Sequence, residues 1–286
     1  MSANPDLLLL NGREIDPSAP AVSPLDRGFH FGDGLFETIA CVRRKPRFLS
    51  LHLERLVSGC ARLHIDLGAV NVIRDEVRHA AAATDVSLIK VMVTRGPAVA
   101  RGYAWSGRET ATRVLLRYAW PQEDTAAQRE GVGVRVSAMR LGENPALAGM
   151  KHLNRLEQVI ARSAVPGADA AELLLFSSSG QLICGTMSNV FVERAGRLIT
   201  PRVDRCGVAG VMRRVVLREA ARAGIAVEEG TVSEADLDAT REIFLTNARI
   251  GVWPVRSVGA RTLRAGVLTQ QVQSSIAPLL ENPVDA

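Results

Sequence analysis

Lysine is the scarce cation of this sequence: Lys45, Lys90 and Lys151 stand against 32 arginines in 286 residues. A guanidinium stays protonated at any accessible pH, whereas a desolvated lysine amine can lose its proton, condense with a carbonyl and act as a base. Each lysine is therefore weighed separately. Lys90 alternates with apolar neighbours in SLIKVMVT, Ser87 to Thr94, and reads as a solvent-facing or edge-blunting side chain; Lys45, in a basic turn, reads the same way. Lys151 lies in GMKHLNRLE, after a glycine-containing turn and before a helical pattern, with His152, Asn154, Arg155 and Glu157 close by in sequence. Base composition alone explains the scarcity, so it narrows the candidates without naming a reaction. Cys41, Cys60, Cys184 and Cys206 form no CxxC pair, which argues against a zinc or redox motif and for free thiols in a reducing compartment.

The elements that must position these groups follow from periodicity and composition. With 47% apolar and 23% charged residues the chain is globular, and no apolar run approaches the roughly 20 residues of a membrane span. The N-terminus lacks the pattern of a secretory signal, so the cytosol is the expected location. The net charge of +5 comes from basic residues interleaved with 30 acids, which suits a small acidic molecule better than nucleic acid or a membrane. Leu7 to Asn11 opens a hairpin, and DRGFHFGDGLFET, Asp26 to Thr38, reads as a glycine-rich loop able to approach a ligand. Arg27 there has Asp26 and Asp33 as ion-pair partners to choose from. A hairpin is expected from 39–42 and 47–49, helices over 51–64 and 70–83, and strands over 87–94 and 113–119. Trp120 to Gly131 is polar with a proline near its start, which places a boundary between a small N-terminal domain, 1–120, and a C-terminal domain, 121–286, that carries Lys151. Beyond it come a strand at 132–139, a turn at 142–145, a helix at 154–164, strands at 171–176, 182–184, 189–193 and 197–200, a helix at 211–223 and a strand at 242–246. Strands in runs with helices clustered between them favour two α+β lobes with the site in the crevice.

The run RLGENPALAGMKHLNRLEQVIARS, Arg140 to Ser163, resembles the lysine segment of aminodeoxychorismate lyases, within the fold-type IV family of pyridoxal-phosphate enzymes that also holds branched-chain and D-amino acid aminotransferases. The likeness extends over nearly the whole chain, through SPLDRGFHFGDGLFETI, Ser23 to Ile39, and HLERL, His52 to Leu56. It implies a smaller N-terminal α/β lobe and a larger C-terminal lobe with the cofactor in the cleft, Lys151 as the Schiff-base lysine and proton-transfer base, and Arg55 on the cofactor phosphate. An arginine fork suits that ligand. In CGVAGVM, Cys206 to Met212, a glycine-rich turn feeds a helix N-terminus that favours an anion, and the resemblance puts the phosphate on the amides of Val208 and Ala209. Thr246 and Asn247 of TNARIGVWPV complete the phosphate cup, although a strand-ending turn is an equal reading of Asn247.

One position departs from the family pattern. GQLICGTMSNVF, Gly180 to Phe191, matches G-x-x-x-E-G-T-x-S-N-x-F except that Cys184 replaces the glutamate, the carboxylate that keeps the pyridine nitrogen protonated. A thiol, with a pKa of about 8.5, is the weaker partner, which should hurt transamination more than an elimination driven by product aromaticity. His30, Arg101 and Tyr103 are the candidate substrate contacts. The resemblance thus implies a homodimeric lyase that converts 4-amino-4-deoxychorismate to 4-aminobenzoate and pyruvate for folate synthesis. An aminotransferase on the same scaffold is the alternative, and a noncatalytic metabolite-binding homologue a distant one.

Overall fold

A computed structural model describes residues 4–16, 18–19, 22–120, 125–164, 170–264 and 266–283. Contacts divide the chain into two compact α+β units. The first comprises residues 1–122, 151–154 and 281–286, the second 123–150 and 155–280.

In the first unit the elements are β1 (Leu7–Leu10), β2 (Arg13–Glu14), α1 (Arg27–Phe31), β3 (Gly34–Val42), β4 (Lys45–Pro46), α2 (Leu49–Leu63), α3 (Val70–Ala82), β5 (Val86–Thr94) and β6 (Thr112–Ala119). Six strands pair antiparallel in the order β2-β1-β6-β5-β3-β4. Strand β5 alternates buried and half-buried residues, the period-two pattern of a strand buried on one face. It lies inside the sheet, between β3 and β6, so the edge-blunting reading of Lys90 is corrected. Its amine is half-buried, and that burial pulls its pKa below the usual lysine value.

Helix α2 buries Leu49, Leu53, Leu56 and Cys60, and α3 buries Ile73, Val77, Ala80 and Ala81, each an i, i+3, i+4 stripe. At about 1.5–3 kcal/mol for each large aliphatic side chain, this burial outweighs the absence of side-chain caps at both helix starts. Helix α2 ends where His64 turns to φ 54°, its amide donating to the carbonyl of Ala61. The expected glycine-rich loop is ordered instead as α1 and the start of β3. The Asp26 carboxylate accepts from the Gly28 amide at 2.7 Å and caps α1, and Gly32, at φ 64°, ends it.

In the second unit the elements are α4 (Thr125–Glu130), β7 (Val132–Leu141), α5 (Leu156–Ser163), β8 (Glu172–Ser177), β9 (Leu182–Gly185), β10 (Asn189–Arg194), β11 (Arg197–Pro201), α6 (Val211–Arg222), β12 (Val227–Gly230), α7 (Glu234–Ala239), β13 (Ile243–Asn247), β14 (Gly251–Val258), β15 (Arg261–Thr262) and α8 (Val267–Glu281), whose last residue groups with the first unit. The mixed sheet runs β12-β11-β10-β13-β14-β7-β8-β9, with β15 beside β14. Its β8 is buried at all six positions, so the core, with Leu174, Phe176, Val190, Val192 and Leu245, reads as continuous apolar strands.

Within the polar stretch expected to link two domains, 125–130 forms α4, and 121–124 lie outside the described residues. Lys151–Asn154 group with the first unit because their backbone joins β3: the Phe36 amide donates to the Lys151 carbonyl and the Leu153 amide to Gly34, both at 3.0 Å.

Candidate active site

Lys151 is half-buried, its carbonyl held by β3 and its Nζ 4.2 Å from the centroid of the Phe36 ring. The ring face attracts a cation and contributes no hydrogen-bond acceptor. Lys90 Nζ lies 5.3 Å from the same centroid, so two of the three lysines meet at one aromatic side chain.

Arg55, one helical turn beyond His52 on α2, turns its guanidinium to Glu37 on β3: Nε donates to Oε1 at 2.8 Å and an Nη to Oε2 at 2.5 Å. His52 Nδ1 meets Oε2 at 2.6 Å. Burial alone would raise the Glu37 carboxyl; the Arg55 charge and the hydrogen bonds from His52 and Arg55 overcome it and hold the group at about 2. Burial lowers the His52 pKa against the pull of Glu37.

Other sequence candidates of this unit are exposed. His30, in the last turn of α1, places Nε2 2.7 Å from the Pro24 carbonyl oxygen. Arg101 and Tyr103 lie on a loop whose backbone is gripped from beneath by Arg27. Arg27 is 4% exposed, and its guanidinium donates to the carbonyls of Gly102, Tyr103 and Ala104 at 3.1, 2.7 and 3.3 Å and to Asp33 at 2.9 Å. Arg27 therefore takes its structural role, with Asp33 rather than Asp26. Arg95 binds the same Asp33 through two nitrogens. Burial would raise Asp33, and the two arginines together bring it below the usual carboxylate value.

The second unit holds the remaining candidates. Helix α6 starts at Gly210 with no side-chain cap, so its first-turn amides present the positive end of the dipole without a capping oxygen. A Cβ at Gly210 would collide with Asn189 Oδ1, and one at Gly207, φ 84°, would come within 2.6 Å of Ile183. Both positions need glycine for close backbone approach. Asn189 Nδ2 fixes the Val208 carbonyl at 2.9 Å. The Ala209 amide already donates to the Gly149 carbonyl at 3.0 Å, in a bridge between 149 and 208 that ties the turn to the chain two residues before Lys151.

Thr246 is fully buried and its hydroxyl donates to the Gly251 carbonyl at 2.6 Å. Asn247 Oδ1 accepts from the amides of Arg249 and Ile250, the geometry of a strand-ending turn, while Nδ2 donates to Met187. Cys184 is 7% exposed in a cluster with Leu173, Leu175, Ile183 and Cys206. Burial, reinforced by the Glu172 charge, pushes its thiol well above the ordinary range, and Arg155 opposes this only weakly. Glu172 accepts from Thr186, Met187 and Ser188, which fastens the 186–188 turn to β8.

Sequence reasoning missed Glu37, His52, Phe36 and Glu172. His52 and Arg55, at i and i+3 on a helix, were the available signal for a common partner; nothing local marks Glu37, whose place depends on the register of β3.

Residues 34–258 match the model of the family described as amino-transferase class IV. The chain is 32% identical to aminodeoxychorismate lyase of Vibrio harveyi over 255 residues, 88% of this chain and 94% of that protein. It is 29% identical to D-alanine aminotransferase of Bacillus licheniformis over 280 residues, 94% and 95% of the two chains. The crystal structure of 4-amino-4-deoxychorismate lyase from Pseudomonas aeruginosa superposes with a TM-score of 0.90 at 38% identity, covering 96% of this chain and all of the other. This chain belongs to the class IV amino-transferase family.

Proposed function

We propose that this chain is a pyridoxal-phosphate-dependent lyase that converts 4-amino-4-deoxychorismate to 4-aminobenzoate and pyruvate. The residues fit the cofactor. At the start of α6 the first-turn amides, which no side chain caps, support an anion, and the Arg55 fork supports a phosphate. Bound pyridoxal phosphate supplies an aldehyde that captures an amine and a ring that takes up the electron pair left by a departing proton.

The proposed cofactor residues are Lys151, Arg55, Cys184, Val208 and the first turn of α6. Ala209, Thr246 and Asn247 act by holding their turns, since the Ala209 amide, the Thr246 hydroxyl and the Asn247 side chain are committed to backbone groups. Lys151 Nζ takes the proton from the amine-bearing ring carbon of the substrate, and loss of the neighbouring enolpyruvyl ether then yields the aromatic amine. The buried Cys184 thiol keeps its proton and offers the pyridine nitrogen no negative charge, which favours a reaction whose product drives it. His30, Arg101 and Tyr103 are the proposed substrate contacts, the last two on the loop that Arg27 anchors.

The cytosol and a homodimer complete the reading. Among the described residues no helix is long and apolar enough to cross a membrane. Leu156, Val159 and Ile160 on one face of α5 are 74%, 55% and 55% exposed, apolar surface of the kind a second copy would cover.

The observation that carries the proposal is Lys151, its backbone carbonyl held by β3 and its amine set over Phe36. The test is incubation with 4-amino-4-deoxychorismate, following 4-aminobenzoate directly and pyruvate by coupling to lactate dehydrogenase. Keto-acid exchange with amino acids, without 4-aminobenzoate, would instead establish the aminotransferase reading.

A further inference from the structure

The carboxylate against Arg55 asks for a reason, because a negative charge there opposes the binding of a phosphate. Glu37 is 1% exposed and His52 fully buried, and both Glu37 oxygens are occupied: Oε1 by Arg55 Nε, Oε2 by an Arg55 Nη and His52 Nδ1. The arrangement is set by secondary structure. His52 and Arg55 share one face of α2 at i, i+3, and the alternation of β3 turns residue 37 to its buried side. An arginine side chain has several rotors, and its planar fork recognises an oxyanion only when the plane is aimed. Two parallel bonds from one carboxylate fix that plane before any ligand arrives, which removes the ordering penalty from the binding step. The carboxyl is an anion throughout the working pH range, since Arg55 and His52 hold it at about 2 against burial.

We propose that Glu37, itself fixed by His52, is a positioning residue that sets the plane of the Arg55 guanidinium for a phosphate monoester dianion. The inference rests on the reading that Arg55 takes the phosphate of the cofactor. It also fixes a sign. Were Glu37 only a counter-charge, its neutralisation would strengthen phosphate binding; as an orienting group, its neutralisation weakens phosphate binding even though a repulsion is removed.

The experiment titrates the full-length apoprotein with pyridoxal 5′-phosphate and, separately, with pyridoxal, following quenching of the three tryptophans. The readout is the dissociation constant of pyridoxal divided by that of pyridoxal 5′-phosphate, a ratio that isolates the contribution of the phosphate. Glu37→Gln is expected to lower this ratio by about tenfold or more while pyridoxal binds as before. An unchanged or increased ratio, or equal weakening of both ligands as a purely structural role would give, overturns the proposal. Arg55→Ala separates the two layers of inference. A wild-type ratio in that variant removes the underlying phosphate reading, whereas its collapse beside an unaltered ratio in Glu37→Gln removes only the role of Glu37. Should Glu37→Gln not fold, Glu37→Asp keeps the charge but withdraws the oxygens by one carbon. The ratio is expected to fall there too, and a wild-type ratio overturns the proposal.

Discussion

Restoring the carboxylate that Cys184 replaces tests how the chain handles the cofactor ring. Position 184 is 7% exposed, packed among aliphatic side chains, with the buried Glu172 nearby. In Cys184→Glu two penalties separate by their pH dependence. Extra volume in a packed cluster costs about 1–3 kcal/mol at every pH. Ionising a second buried acid costs more, since desolvation and a like charge raise such a group by about 3 units, and at about 1.4 kcal/mol per unit this amounts to roughly 4 kcal/mol. The sign follows from the raised folded-state pKa. Below the unfolded value of about 4.3 the acid is protonated in both states and the penalty is absent; it grows as pH rises and levels off above the folded value, near 7.

A cofactor with a protonated ring nitrogen gives the new carboxylate a partner. The variant apoprotein should therefore lose stability relative to wild type between pH 5 and pH 8 in urea titrations, and pyridoxal phosphate should return more stability to the variant than to wild type at pH 8. Keto-acid exchange should then rise by a larger factor than 4-aminobenzoate formation. A pH-independent loss, or equal stabilisation of both proteins by the cofactor, would refute the placement of residue 184 beside the ring.

Removing the anchor in Arg27→Met deletes four hydrogen bonds of a buried guanidinium but leaves Arg95 on Asp33, so a loss of about 3 kcal/mol in urea unfolding is expected, with faster proteolysis at 101–104 and a raised KM. Asp33 has a folded pKa below its unfolded value; its contribution is complete above about pH 4 and is lost as pH falls through the folded value, so Asp33→Asn should be less stable than wild type at pH 7 and the gap should narrow below pH 4. Gly210→Ala drives a Cβ into Asn189 and should weaken pyridoxal phosphate retention on dialysis by at least about tenfold, by displacing the backbone at the start of α6.

Most strands and long helices of both units were legible because their apolar periods are unambiguous: α2, α3, β5, β8 and α6 lie within two residues of expectation. The errors have physical causes. The run from Asp26 to Thr38 reads as a loop because three glycines lower every local propensity, yet the Asp26 cap and a glycine stop at Gly32 make a five-residue helix from it. Lys90 reads as an edge residue because strand order is non-local, and only the pairing of β5 with both β3 and β6 shows otherwise. Helix α8 was not foreseen; its apolar stripe is weak and Pro278 interrupts it, so packing of Val272 and Ile276 rather than pattern secures it. Lys151, Arg55 and Cys184 are singled out by resemblance. Glu37 and Glu172 were not, because a buried acid is recognisable only once the donors around it are in place.

Base composition accounts for the scarcity of lysine, yet the two basic residues suit two kinds of work that do not interchange. Arg27 reaches three successive carbonyls and a carboxylate, and Arg261 spans the carbonyls of Leu237 and Thr240, because a guanidinium spreads five donors over a rigid plane. An ammonium, a single point with three donors, cannot span such a set. In the proposed reaction the requirement at position 151 is reversed: the group would have to give up and take back a proton, which a guanidinium does not do. Reciprocal swaps should then fail in opposite ways. Arg27→Lys keeps the charge and should lose stability and raise KM while borohydride still traps the cofactor on Lys151. Lys151→Arg keeps the charge over Phe36 and should unfold close to the wild-type midpoint while forming no 4-aminobenzoate and taking up no reducible label. Activity in Lys151→Arg, or label recovered at Lys90 in wild type, would contradict the assignment of proton transfer to the amine at 151.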